Sequence, residues 1–504
     1  MSSSKQVAKE AQAKRLCVLK FGSSVLEREE DYPKVVHEIY RHVRNGEKVV
    51  AVVSALAGET DALLAQARRV GGDKAPGALV ARLARVGELQ SAALMALALS
   101  KAGLRAWTLD PQEMALDAVG SPLDSNLTRV DAEAEKASSG LIQVKAIHAA
   151  AEKDVLIEVA ALGSAEATTI ANLPAAKSRP PRPERLRVAL LGCGSVGKGV
   201  LDLLLSQPEL FEVGPVLVRT ADRHSENVKF TQSLDEALAG EPDVLIEVLG
   251  GSELAAEAMH SALLRGAQIV TANKAAVAKH WDSLHACAAR NGGELRYSAA
   301  VGGGAPVIET LRRLSGSVVS VEGVMNGTCN YLLSRLAEGT SLEKALAKAQ
   351  ELGFAEADPS ADVDGHDAAD KLSILVREAF GVAVVPQLIA KHSLRDLVPE
   401  AAMEALDRGE VLKQVGRCHL LPDGTVEAEV QVVALPLSHP LAGARDEENR
   451  FLITDAEGNV HEVFGKGAGR WPTATSVFAD VMDAQRALLG RAPVEASKTL
   501  KLRA

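Results

Sequence analysis

Short unbroken apolar runs alternate along this chain with longer stretches in which apolar residues recur every three or four positions. Residues 16–22 (LCVLKFG) and 48–55 (KVVAVVSA) read as strands on either side of a helical stretch, 31–46 (DYPKVVHEIYRHVRNG). The pattern breaks at 172–186 (NLPAAKSRPPRPERL), where Pro174, Pro180, Pro181 and Pro183 remove backbone donors and favour an extended linker. It then restarts with a strand at 187–191 (RVALL), glycines and a helical GVLDLLLSQ. Next come a strand at 215–219 (PVLVR), a helix at 233–240 (SLDEALAG), a strand at 243–250 (DVLIEVLG), a helix at 252–266 (SELAAEAMHSALLRG) and a strand at 267–272 (AQIVTA). Strand and helix alternating at this spacing predict a doubly wound parallel sheet.

Length raises the expected count to about three domains, since 504 residues are shared at roughly 100–200 per domain. An apolar fraction of 47%, a charged fraction of 24% and a mean hydropathy of +0.04 exclude a disordered or fibrous chain. Fifty-six Lys and Arg against 66 Asp and Glu give a net charge of -10 with no basic block, so nucleic acid is not an expected partner. The five cysteines (Cys17, Cys193, Cys287, Cys329, Cys418) form no CxxC pair and suit a reducing compartment. Residues 1–15 lack the apolar stretch of a signal peptide, and no run approaches the roughly 18–20 apolar residues of a membrane span. A soluble cytoplasmic protein without a membrane partner is expected.

Gly192-Cys193-Gly194-Ser195-Val196-Gly197 is a GxGxxG between a predicted strand and a predicted helix. In a dinucleotide site the first glycine makes the tight turn, the second lets pyrophosphate reach the backbone, and the third lets helix and strand pack. The competing reading is a turn that is merely tight. At the end of the second strand, where an acid would hold the ribose hydroxyls of NAD, stands Arg219, with Arg223 close behind. That favours the 2′-phosphate of NADP, against a solvated basic turn, and leaves NAD possible.

Acidic residues crowd 354–372 (FAEADPSADVDGHDAADKL), where Asp367 and Lys371 fall four apart on one helix face. Spacing alone suggests an ordinary ion pair. A calcium loop fails on alignment, because placing Gly365 at the glycine position puts Lys371 where a bidentate Glu is required.

Taken together, GCGSVG (192–197), VTANKA (270–275), YSAAVGGGAPVIETL (297–311), GVMNGTCNYLL (323–333), AEADPSADVDGHDAADKL (355–372) and GKGAGRWPTATSVFADV (465–481) resemble homoserine dehydrogenase, over residues 186 to about 490. The resemblance implies NAD(P)-dependent interconversion of L-homoserine and L-aspartate 4-semialdehyde, in the pathway to threonine, methionine and isoleucine. It implies an α/β fold with a Rossmann-type doubly wound parallel sheet, at 187–320 and again at 461–504, plus an α+β substrate-binding and dimerisation domain at 321–460. A homodimer or larger homo-oligomer acting on a small amino acid is expected.

Carried over residue by residue, the resemblance makes Glu356 and Asp367 substrate-binding acids, Lys371 the proton donor and Lys274 a second active-site lysine that also borders the cofactor. A substrate ammonium needs such acids, and an aldehyde oxygen becoming an alkoxide needs such a donor. Gly192, Gly194, Ser195, Val196, Gly197, Arg219, Gly250 and Gly469 complete the cofactor set, and Asn326-Gly327-Thr328 shapes the substrate pocket. Family members often hold a sodium ion through a glutamate and nearby carbonyls. Here that glutamate position is Ser298, so carbonyls of Val301 and Gly303 remain without a charged ligand and a monovalent cation is doubtful.

Residues 18–26, 49–64 and 87–110 resemble the start of aspartate kinase, with Lys20 and Glu88 at its phosphate and substrate positions. Ser23 and Ser24 replace a glycine and a threonine of that pattern, no GRGGSD-like nucleotide segment precedes the linker, and 159–173 reads as its eroded remnant. A truncated kinase-like domain at 1–171 that does not phosphorylate is expected, because phosphoryl transfer rests on positioning the nucleotide. The alternatives are a bifunctional kinase and dehydrogenase, a catalytically inactive regulatory homologue, and an aspartate semialdehyde dehydrogenase using Cys329 as nucleophile.

Overall fold

A computed structural model describes residues 16–72, 75–109, 118–121, 124–127, 157–160, 167–170, 185–220, 228–352, 354–356, 358–467 and 469–488. Most of the proline-rich linker, and Arg223, lie outside the described residues. The chain divides into two compact units, one built from 1–101, 105–182 and 486–504 and the other from 102–104 and 183–485.

In the first unit, β1 (Leu16–Phe21) and β2 (Lys48–Val53) pair in parallel around α1 (Tyr32–Arg44), as the apolar runs predict. The helices α2 (Glu59–Gly71) and α3 (Gly77–Lys101) follow. Two short antiparallel pairs come next, β3 (Ala118–Ser121) with β4 (Asp124–Leu127) and β5 (Ile157–Ala160) with β6 (Ala167–Ile170).

The second unit opens with β7 (Leu186–Leu191), α4 (Ser195–Leu205), β8 (Phe211–Val213), β9 (Val216–Leu217) and β10 (Phe230–Thr231). It continues through α5 (Leu234–Leu238), β11 (Val244–Glu247), α6 (Glu253–Leu263), β12 (Gln268–Thr271), α7 (Lys274–Asn291) and β13 (Leu295–Arg296). Its parallel sheet has the order β10-β9-β7-β11-β12-β13, with β8 also on β7. Val244, Leu245 and Ile246 are fully buried, which is why the strand reads as a continuous apolar run. The chain leaves β7 for β9 on one side and reaches β11 on the other, so a topological switch point lies beside the end of β7, where such sheets bind their ligands.

After α8 (Val307–Arg313) comes β14 (Val318–Val324), the middle of a second sheet. The helices α9 (Gly327–Ala337), α10 (Leu342–Glu351), α11 (Ser360–Val363) and α12 (His366–Phe380), then β15 (Ala390–Lys391) and α13 (Pro399–Asp407), precede the long hairpin of β16 (Glu410–Leu420) and β17 (Val426–Pro436). With β18 (Glu448–Asp455) and β19 (Val460–Lys466) the order is β15-β17-β16-β14-β18-β19, antiparallel except for β15 on β17. The last helix, α14 (Arg470–Leu488), buries Val477, Phe478 and Val481 in the same core as Val188, Leu190 and Val200, returning the chain to the parallel sheet.

Candidate active site

The three motif glycines answer to two different constraints. Gly192 has φ +100°, and a Cβ there would lie 2.6 Å from the Val248 carbonyl oxygen. At Gly197 a Cβ would lie 2.1 Å from the Gly192 carbonyl oxygen, so only glycine lets α4 close onto β7. Gly194 is different: a Cβ would meet nothing within 4 Å, so its backbone, at the cap of α4, faces open space. Ser195 and Val196 begin the helix whose N–H groups point that way. Two glycines for packing and one for approach fit a dinucleotide pyrophosphate. Gly250 likewise has nothing within 4 Å of a Cβ, at the turn after β11. Gly469 has φ +103°, at the start of α14. Arg219 is exposed just after β9, where its carbonyl oxygen accepts from the Gln232 amide.

The acidic stretch and the two lysines meet around Asp367. This residue sits in the first turn of α12, and its carboxylate takes donors from three elements. Lys274, at the start of α7, approaches Oδ1 at 2.9 Å, and Lys371, one turn along α12, approaches Oδ2 at 2.8 Å. The Asn326 side-chain amide also donates to Oδ2, at 2.8 Å. Burial opposes the charge of Asp367, yet the ammonium groups of Lys371 and Lys274 outweigh it and hold the carboxyl well below the usual carboxylate range. Lys274 is correspondingly pushed up by Asp367. Lys371 donates in addition to the Met325 carbonyl oxygen at 2.7 Å.

Asn326 is fully committed. Its amide nitrogen donates to Asp362 at 2.7 Å as well as to Asp367, and its oxygen caps α9 by accepting from the Cys329 N–H at 2.8 Å. The NGT segment thus joins α9, α11 and α12, and Thr328 ties it to the Phe354 carbonyl oxygen. Asp362 carries a carboxyl pushed up by burial.

Glu356 does not join this cluster. It is exposed, its carbonyl oxygen accepts from Gln350, and its carboxylate takes part in none of the bonds that link Asp362, Asp367 and the lysines. Cys329 has no exposed surface, burial pushes its thiol well up, and its Sγ donates to the Asp362 carbonyl oxygen. A protonated, enclosed thiol is a poor nucleophile, which removes the semialdehyde-dehydrogenase alternative.

Val301 is buried at the entry to a turn in which Gly302 and Gly303 have φ of +87° and +60°. Ser298 accompanies them, and its N–H and hydroxyl both donate to the buried carboxylate of Asp480 on α14, at 3.0 and 2.9 Å. An acidic side chain therefore contacts Ser298, supplied from another element. No local pattern signals this contact, since the two residues lie far apart in the chain. Among the described residues, the one group of three or more His, Cys, Asp and Glu side chains close enough to hold a metal is Cys17, His42 and Glu47 in the first unit. Burial opposes charge on His42, but bonds to Cys17, Glu38 and Glu47 raise it to about 10, and an imidazolium has no lone pair to offer.

Comparison with known proteins follows the same division of the chain. Residues 192–298 match the family model described as "Homoserine dehydrogenase, NAD binding domain" and residues 306–482 the one described as "Homoserine dehydrogenase". Residues 15–170 match the amino acid kinase family. The homoserine dehydrogenase of Lactococcus lactis is 36% identical over 316 residues, covering 59% of this chain and 73% of that protein. A solved homoserine dehydrogenase from Thiobacillus denitrificans is 30% identical, with a TM-score of 0.58 over 63% of this chain and 77% of that one. An archaeal homoserine dehydrogenase mutant solved with NADPH shares the fold, at 22% identity and a TM-score of 0.53. No helix of the described residues is long and apolar enough to cross a membrane. Sequence and fold agree, and the chain belongs to the homoserine dehydrogenase family.

Proposed function

We propose that the chain interconverts L-homoserine and L-aspartate 4-semialdehyde with a nicotinamide dinucleotide, preferring NADP. The observation that carries this reading is the convergence of Lys274, from the parallel sheet, with Lys371, from the mixed-sheet domain, on the one buried carboxylate of Asp367. Gly192, Gly194, Ser195, Val196, Gly197, Gly250 and Gly469 would hold the dinucleotide, with Arg219 at its 2′-phosphate. When bound, that group supplies the hydride donor and acceptor.

Lysine has three ammonium hydrogens, and Lys371 commits two of them, to Asp367 and to the Met325 carbonyl oxygen. The third is the one left for a substrate oxygen. As hydride arrives at C4 of the semialdehyde, Lys371 stabilises the growing negative charge on oxygen and donates its proton; in the reverse direction it takes the hydroxyl proton of homoserine. Lys274, whose side chain is 35% exposed against 13% for Lys371, orients substrate and adds positive charge beside the same oxygen. Asp367 holds both lysines in place, and receives the substrate's ammonium. Glu356 is the second acid of this reading.

A homodimer or larger homo-oligomer belongs to the same reading. So does a cytoplasmic setting, supported by five free cysteines. The test is reduction of NADP+ or NAD+ by the purified full chain with L-homoserine. Turnover is expected, and its absence with both coenzymes in folded protein refutes the reading.

A further inference from the structure

Glu247 ends β11 with no exposed surface. Its carboxylate accepts from three neutral donors: the Leu249 N–H at 2.7 Å, the Thr271 hydroxyl at 2.5 Å and the Asn273 side-chain amide at 3.3 Å. Burying a carboxylate is costly, and burial accordingly pushes this one up. An acid enclosed without a cation is therefore an expensive choice for a merely structural strand end.

What the donors have in common is their place. Leu249 belongs to the turn after β11, Thr271 is the last residue of β12 and Asn273 follows in its turn, so Glu247 ties together two neighbouring strand ends on the ligand edge of the sheet. Asn273 is tied further. Its N–H donates to the Thr271 hydroxyl oxygen at 2.9 Å, its amide nitrogen donates to the Gly251 carbonyl oxygen at 2.6 Å, and its amide oxygen caps α7 by accepting from Ala276 at 3.1 Å. The residue after that cap is Lys274, whose Nζ reaches Asp367.

We propose that Glu247 is a positioning residue for Lys274: through Thr271 and Asn273 it fixes the cap from which the lysine reaches Asp367. The inference rests on the active-site reading of Lys274 given above. An acceptor is what the network requires at Oε1, which takes two donors, whereas Oε2 faces only a hydroxyl that can itself accept. Glutamine fits that demand and methionine does not.

Two measurements test the proposal on the full chain. In ligand-free protein, the rate at which an amine-acylating reagent labels Lys274, read by mass spectrometry, reports its ion pair without any need for activity. Glu247→Met is expected to raise that rate about tenfold, equivalent to one pKa unit, with other lysines unchanged, while Glu247→Gln stays near the parent. In the assay with L-homoserine, Glu247→Met is expected to lower kcat by roughly 10–100-fold, and to cost little more in a Lys274→Ala background. Unchanged labelling, or losses that multiply fully in the double variant, overturns the positioning role. If the parent itself fails to oxidise homoserine, the functional reading falls, and the labelling result still decides this one. Should Glu247→Met fail to fold, Asn273→Ser, which keeps the cap acceptor and removes the amide donor, is put through the same two measurements with the same expected outcomes.

Discussion

Lys371 Nζ lies 2.8 Å from Oδ2 of Asp367, one helical turn earlier, and is anchored from the other side by the Met325 carbonyl oxygen. An ammonium held at two points has a fixed direction for its remaining hydrogen, the requirement for a general acid. Lys371→Ala is therefore expected to lower kcat by a factor on the order of 10²–10⁴ with coenzyme affinity nearly unchanged. Steady-state kinetics of Lys371→Ala and Lys274→Ala side by side check it. Near-normal kcat in the first with loss in the second exchanges the two roles.

The parallel sheet was legible because its strands are buried on both faces and so appear as unbroken apolar runs between helical stretches. The run at 243–250 overshoots: the strand stops at Glu247, whose side chain turns back to accept from the Leu249 N–H. Likewise 215–219 shrinks to Val216–Leu217, since its outer neighbour is a two-residue strand. The mixed sheet also carries a local signal in the sequence. Asp423-Gly424, the latter at φ +84°, lies in the five-residue connection 421–425 between two strands of 11 residues, a hairpin pattern. At the site, the pairing of Asp367 with Lys371 follows from helix spacing, but the arrival of Lys274, Asn326 and Asp480 does not. Those contacts join elements remote in sequence, and no local period encodes them.

Glycine substitutions separate packing from binding. Gly197→Ala drives a Cβ to 2.1 Å from the Gly192 carbonyl oxygen and is expected to lower thermal stability along with coenzyme affinity. Gly194→Ala meets nothing within 4 Å and is expected to keep the parent melting temperature while weakening coenzyme binding about tenfold or more. Calorimetric melting and coenzyme fluorescence titration check the pair. Unaltered affinity in Gly194→Ala removes that backbone from the site.

Arg219 is exposed, with its backbone held by Gln232, so its side chain is available to a phosphate without disturbing the fold. Arg219→Asp should weaken NADP binding far more than NAD binding, through loss of a charge-assisted contact and gain of repulsion. Dissociation constants for both coenzymes measure it. Equal changes for the two make the arginine a bystander.

In the first unit, Lys20 and Glu88 are both exposed, on β1 and α3 respectively. Because no GRGGSD-like nucleotide segment precedes the linker, the full chain given ATP and aspartate is expected to form no aspartyl phosphate. Aspartate-dependent release of ADP above the no-enzyme rate contradicts this.

Asp367 also predicts a pH dependence. Its folded carboxyl is held below the ordinary range, so its contribution to stability is fully present above the unfolded value of about 3.9 and is lost as pH falls through the folded one. Lys274 works in the opposite sense: pushed up by Asp367, it contributes below about 10.4 and ceases to as pH rises through its raised folded value. Asp367→Asn removes the partner of both lysines. The half-exposed Lys274 recovers part of its hydration, which discounts the penalty to about 2–3 kcal/mol at neutral pH, under the usual cost of breaking a fully buried pair. Hydrogen exchange of the α12 amides in the full chain, corrected for intrinsic rates, reads that local stability from pH 7 downward. Parent and variant should differ most at neutral pH, and the gap should begin to close only below about pH 4, where the unfolded carboxyl takes up its proton, closing fully only below the depressed value of the folded one. A gap that stays constant down through that range means the three charges do not act as one unit.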